Sequence, residues 1–133
     1  MATKLKAGET HEVPLVQDLK RTQIVQYAGA SGDYNPLHSD ELFATKVAGY
    51  PTVFAHGMLT MGMTGRAITD LVGVENLTSF GGRFTSQVWP GDDLTATVTV
   101  GEVGDGTVEL TVSTKNQDGV EVFSGTATAK TDQ

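Results

Sequence analysis

The sequence predicts an α+β domain in which one long, buried helix is wrapped by a curved antiparallel sheet. Three observations predict it. Segment 58–72, "MLTMGMTGRAITDLV", is apolar or small on nearly every side, with Arg66 and Asp70 its only charges, as a helix buried on most faces should be. After Val74 the pattern changes to strict alternation, as in "LTATVTV" (94–100) and "TVELTVST" (107–114). Asp105-Gly106 and Asp118-Gly119 then supply the hairpin turns that such strands need. At 133 residues the chain is one domain, 1–133, long enough for a sizeable core.

Taken in order, 11–16 reads as an edge strand, because Pro14 cannot donate to a central ladder. Thr22 is a suitable N-cap, and Ile24, Val25, Tyr27 and Ala28 follow at helical spacing, which predicts a helix to about Ala30. Gly29 and Gly32 break it, and Asn35-Pro36 keeps it from resuming, since a residue before proline is driven out of the α region. A second short helix is expected from Ser39 or Asp40 to Ala48, capped by Gly49 with Pro51 beyond. Within 58–72, Gly62 and Gly65 each cost about 1 kcal/mol relative to alanine, so close packing against both is expected. A strand at 79–88 precedes the turn "WPGDD", and the last strand spans 120–129. There is no internal repeat, linker or low-complexity tract.

Composition removes several classes of function. The formal charge of −7 offers no basic field for nucleic acid. Zero cysteines exclude disulfides and thiol nucleophiles. No run of about 18 apolar residues exists to span a membrane, and the opening "MATKLKAGETHEV" has no apolar signal-peptide region, so a cytoplasmic location is expected.

Chemistry concentrates in "GASGDYNPLHSD" (29–40). Asp33 and His38 share a loop whose glycines and proline can aim both side chains at one point, and a carboxylate beside an imidazole is the pairing of a general base with its partner. On spacing alone the same residues serve equally as turn caps and a half-buried histidine, and Asn35 either orients a ligand or braces the turn. In "FAHGMLTMG" (54–62) the buried helix begins at His56-Gly57. The first helical amides lack intrahelical acceptors, and a glycine lets a carbonyl oxygen approach its N–H, so Gly57 is a candidate oxyanion donor, or else only eases entry into the helix with His56 capping or packing. His11, His38 and His56 show no metal-binding spacing, so no metal is expected. Met58, Met61, Met63, Phe80 and Phe84 are candidates for an acyl pocket or plain core. Among the cations Lys46, Arg66 and Arg83, nothing singles one out for phosphates.

Together, "YAGASGDYNPLHSD" (27–40) and "GYPTVFAHGMLTMG" (49–62) resemble the MaoC-like family of (R)-specific enoyl-thioester hydratases and 3-hydroxyacyl-thioester dehydratases. The resemblance is close from Thr22 to about Leu71 and looser through "GRFTSQVWPGDDLTATV" (82–98). It implies the hot-dog fold, with Asp33 and His38 as catalytic dyad, the Gly57 amide on the thioester oxygen, and Asn35 and the residues around Ser31 shaping the loop. Asn35 and His56 join Gly57 as the candidate oxyanion- and substrate-binding residues. It further implies an acyl-CoA or acyl carrier protein thioester as substrate, no cofactor, and at least a dimer. The stretch "AHGMLTMGMTG" (55–65) is similar to the catalytic subunit of fatty-acid-elongation dehydratases that can pair with a non-catalytic homologue, so homodimer and heterodimer both stay open. Rival expectations are a hot-dog thioesterase and a silent acyl-binding subunit.

Overall fold

The computed structural model describes residues 5–131. The order of elements is β1 (Thr10–Val16), α1 (Arg21–Ser31), a 3-10 turn (Pro36–His38), a π-helical turn (Phe43–Val47), α2 (Gly57–Val72), a second 3-10 turn (Val74–Asn76), β2 (Leu77–Phe84), β3 (Leu94–Gly104), β4 (Thr107–Lys115) and β5 (Glu121–Lys130). The five strands form one sheet in the order β1-β3-β4-β5-β2, antiparallel throughout. This is the α+β, hot-dog arrangement expected, with α2 as the wrapped helix.

The alternation along the strands decides which face meets α2. Ala96, Val98 and Val100 of β3, Val108, Leu110 and Val112 of β4, and Phe123, Ala127 and Ala129 of β5 point inward onto Ala67, Ile68 and Val72 of α2. The intervening threonines face outward, so a one-residue slip would bury hydroxyls and expose the core. A second cluster of Leu19, Ile24, Ala55, Val88, Leu94 and Val122 fastens α1 and the loop before α2 to the end of the sheet. That cluster anchors the segment carrying the candidate site.

The turns follow their residue types. Asp105 and Gly106 both adopt positive φ (55° and 78°), the conformation a two-residue hairpin requires. At the other turn Asn116 Oδ1 accepts the N–H groups of Asp118 and Val120, and Gly119 takes φ 77°.

Several boundaries differ from expectation. Lys20, not Thr22, precedes α1, and its N–H donates to Gln23 Oε1 at 2.9 Å, a contact a short hydroxyl cap at 22 does not make. α1 continues through Gly29 to Ser31, and Gly32 alone ends it at φ 78°, its N–H closing on Ala28 O. The expected helix from 39 or 40 to 48 is shorter, and its core is the π-helical turn, where Ala48 N–H reaches back to Phe43 O. β2 ends at Phe84 rather than 88, because the Val88 carbonyl leaves the sheet to accept the Ala55 N–H at 2.8 Å. Of the two helix glycines, only Gly65 is tightly approached: a Cβ there would lie 3.2 Å from the Phe80 ring, whereas Gly62 faces open space.

Candidate active site

The site loop is a relay of local side-chain to backbone bonds. Ser31 Oγ accepts the Asp33 N–H (3.1 Å), Asp33 Oδ1 accepts the Asn35 N–H (3.2 Å), and Asn35 Oδ1 accepts the Leu37 N–H (3.0 Å). Each polar side chain bonds two residues ahead, and Pro36 opens the 3-10 turn with its φ already set. Asn35 therefore braces the turn through its oxygen, one of the two roles open to it from sequence.

His38 emerges half-buried at the end of this turn and donates from Nδ1 to the Phe54 carbonyl at 2.6 Å. A carbonyl only accepts, so Nδ1 carries a proton, and the tautomer this selects has its lone pair at Nε2. The tautomer is thus set by the backbone at Phe54 and not by Asp33. His56 is 2% exposed, and its Nε2–H donates to the Asp33 backbone carbonyl at 2.9 Å. It makes no side-chain capping bond to α2, so it packs rather than caps. The rings of His38 and His56 stack, with centroids 3.8 Å apart and planes inclined by 25°, and Tyr27 meets His56 edge-on.

The two histidines and the aspartate thereby converge. A carboxylate oxygen of Asp33 and one ring nitrogen from each histidine all lie within 4.8 Å of one another. These are metal-ligand residue types, yet the arrangement suits an ion poorly. Imidazole lone pairs lie in the ring plane, and two nearly parallel stacked planes do not meet at one point the short distance from both nitrogens that coordination needs.

Gly57 is the first residue of α2, so its N–H has no intrahelical acceptor and lies at the positive end of the helix. It lines a cavity of about 330 Å³ with Phe54, Thr60, Phe84, Val88 and Val122, a volume in the small-ligand range. A Cβ at Gly57 would sit 3.0 Å from the Phe84 ring. Of the other candidate pocket residues, Phe84 joins this lining, while Phe80 and Met61 pack against the main core and Met63 against the second cluster.

Sequence reasoning missed three contributors. The Phe54 carbonyl orients His38 but is backbone, which carries no residue signature. Glu41 fastens the segment before Phe54, accepting from the Thr52 hydroxyl (2.6 Å), the Val53 N–H (3.1 Å) and Arg21 (3.4 Å). These donors, the Thr52 hydroxyl first, hold its carboxyl below the usual glutamate range. Thr60, apolar-looking in its helix, turns out to be a buried hydroxyl in the cavity wall.

The MaoC-like domain model matches residues 3–121. The chain belongs to the MaoC-like family. This MaoC-like chain is 46% identical over 71 residues to the 3-hydroxyacyl-thioester dehydratase Y of Mycobacterium tuberculosis, a match covering 51% of this chain and 24% of that protein. It is 46% identical over 67 residues to the peroxisomal enoyl-CoA hydratase 2 of Arabidopsis thaliana, covering 48% and 21%. These matches span about a quarter of the relatives' length or less. In structure it is similar to an R-hydratase of Pseudomonas aeruginosa, with a TM-score of 0.85, 29% identity, and 95% of this chain and 81% of that one covered. Among the described residues of this MaoC-like chain, no helix is long and apolar enough to cross a membrane.

Proposed function

We propose that this chain catalyses the reversible hydration of trans-2-enoyl thioesters to (R)-3-hydroxyacyl thioesters. The observation that carries the proposal is the convergence of the Asp33 carboxylate and a His38 ring nitrogen within 4.8 Å, close to the start of α2. One water bonded to both groups at about 2.8 Å would bridge such a gap. His38 Nε2, left with its lone pair by the bond at Nδ1, takes a proton from that water as its oxygen attacks Cβ. Asp33 orients the water and helps His38 return that same proton to Cα on the same face, so that both groups end as they began. The Gly57 N–H holds the thioester oxygen as negative charge grows on it, aided by the helix dipole. The dehydration direction runs the same steps in reverse.

The substrate is carried by coenzyme A or by acyl carrier protein, and the chain works as a dimer. Met58 and Phe84, flanking Gly57, are 55% and 49% exposed, an apolar surface suited to a second hot-dog subunit, identical or homologous. Light scattering on the purified chain measures that state directly.

The deciding experiment mixes the purified chain with crotonyl-CoA and follows loss of the enoyl-thioester absorbance. A decrease that Asp33→Asn abolishes supports the proposal. Thiol release from a saturated acyl-CoA would favour thioester hydrolysis instead, and a folded chain inert towards both substrates would make it a silent acyl-binding subunit.

A further inference from the structure

Thr60 carries a hydroxyl that the fold leaves unused. Its side chain is 2% exposed, and Oγ1 has no hydrogen-bond partner among the described residues. A threonine inside a helix ordinarily returns its hydroxyl to the carbonyl four residues back. Thr64, one turn on, does so, donating to the Thr60 carbonyl at 2.9 Å while also bonding Thr114 Oγ1 at 2.7 Å. Thr60 makes no such bond to the His56 carbonyl, which instead receives the Leu59 N–H at 3.1 Å. An unpaired buried hydroxyl costs folding free energy, so its retention points to a partner that arrives with the ligand.

The position says what that partner is. Thr60 lines the same cavity as Gly57, and positions three apart on a helix share a face. Of the other polar residues lining it, Thr85, Ser86 and Gln87 are exposed and the Thr85 hydroxyl already donates to the Glu121 carbonyl at 2.7 Å, so Thr60 is the buried polar side chain of the wall. A carbonyl oxygen has two lone pairs, and one backbone N–H satisfies only one of them. Resting on the hydratase reading above, we propose that the Thr60 hydroxyl is a second donor to the thioester carbonyl oxygen held at the Gly57 amide. Thr60 then stabilises the enolate-like oxygen during proton transfer at Cα, and it makes the cavity selective for acyl groups whose carbonyl stands at that depth.

Thr60→Val removes the hydroxyl while keeping the shape, and Thr60→Ser restores it. The expected result is a Thr60→Val variant with Tm unchanged or raised and kcat for crotonyl-CoA lowered at least about tenfold. KM should change far less, and Thr60→Ser should recover most of the rate. A second readout needs no turnover: the carbonyl stretch of bound 13C-labelled butyryl-CoA should lie at lower frequency in the parent chain than in Thr60→Val. Equal kcat and equal stretch in the two proteins overturn the role of Thr60 even if hydration proceeds. A stretch that differs between them in a chain that does not hydrate crotonyl-CoA supports Thr60 as a carbonyl donor and overturns the hydratase reading. A chain that neither binds nor hydrates overturns both.

Discussion

His38 and His56 stack at 3.8 Å, and each has one ring nitrogen committed to a backbone carbonyl, His38 to Phe54 and His56 to Asp33. The buried histidine thereby fixes the exposed loop that carries Asp33, and its ring backs the half-buried histidine. Two segments distant in sequence are held in register by two rings and two hydrogen bonds.

Removing either member of the proposed dyad should abolish most of the chemistry and little of the fold. Asp33→Asn and His38→Ala are each expected to lower kcat by at least about a hundredfold, the usual worth of a positioned acid–base group. Asp33 is exposed and His38 half-buried, so circular dichroism should stay native. Turnover near that of the parent would remove the substituted residue from the mechanism.

For His56, two substitutions separate packing from positioning. His56→Ala empties a fully buried site and should cost about 2–5 kcal/mol in denaturant unfolding. His56→Phe keeps an aromatic ring against His38 but cannot donate to the Asp33 carbonyl. Its stability should fall by about 1 kcal/mol, with kcat lowered about tenfold or more through misplacement of Asp33. Equal activity in His56→Phe and the parent would show that the carbonyl bond does not position the loop.

The glycines sort by what a methyl group would meet. At Gly125 it would approach the Gly81 carbonyl at 2.5 Å, and at Gly82 the Ser124 carbonyl at 2.4 Å, both backbone atoms that cannot step aside. Either alanine variant should lose about 1–3 kcal/mol or more. Gly57→Ala meets only the half-exposed Phe84 ring, so Tm should change little while KM rises as the ring is pushed toward the cavity. Gly62→Ala, with open space and a helical backbone, should add about 1 kcal/mol of stability.

Glu41 makes stability pH-dependent in a definite direction. Its folded pKa is depressed, chiefly by the Thr52 hydroxyl, so its contribution is present above the ordinary glutamate value and lost as pH falls through the folded one. Glu41→Gln should therefore have a lower Tm than the parent at pH 7. The gap should close as the pH is brought below about 4. A gap that stays constant from pH 7 to 3 would take the ionised carboxylate out of the network.

The sheet and its helix were legible from residue order because they rest on short-range rules. Alternation places Val98, Leu110 and Val112 inward whatever lies around them, the Asp-Gly pairs accept the positive φ of hairpin turns, and the largely apolar α2 packs its Ala67, Ile68 and Val72 face on the sheet. Met58, Gly62, Arg66 and Asp70 nonetheless leave an exposed stripe along α2 where burial on most faces was expected. The loop string also showed in advance that Asp33, Asn35 and His38 belong together, since the contacts bracing them reach only two residues ahead. Element ends were less legible: β2 stops at Phe84 because Val88 pairs with Ala55, a partner 33 positions away. So were the proton on His38 Nδ1, the stacking of His56 beneath it, and the unpaired hydroxyl of Thr60. Each depends on which backbone carbonyl lies beside a side chain once distant segments have packed, and a carbonyl is the same in every residue. Sequence determined the groups that meet; only the tertiary structure decided which of their atoms remain free to act.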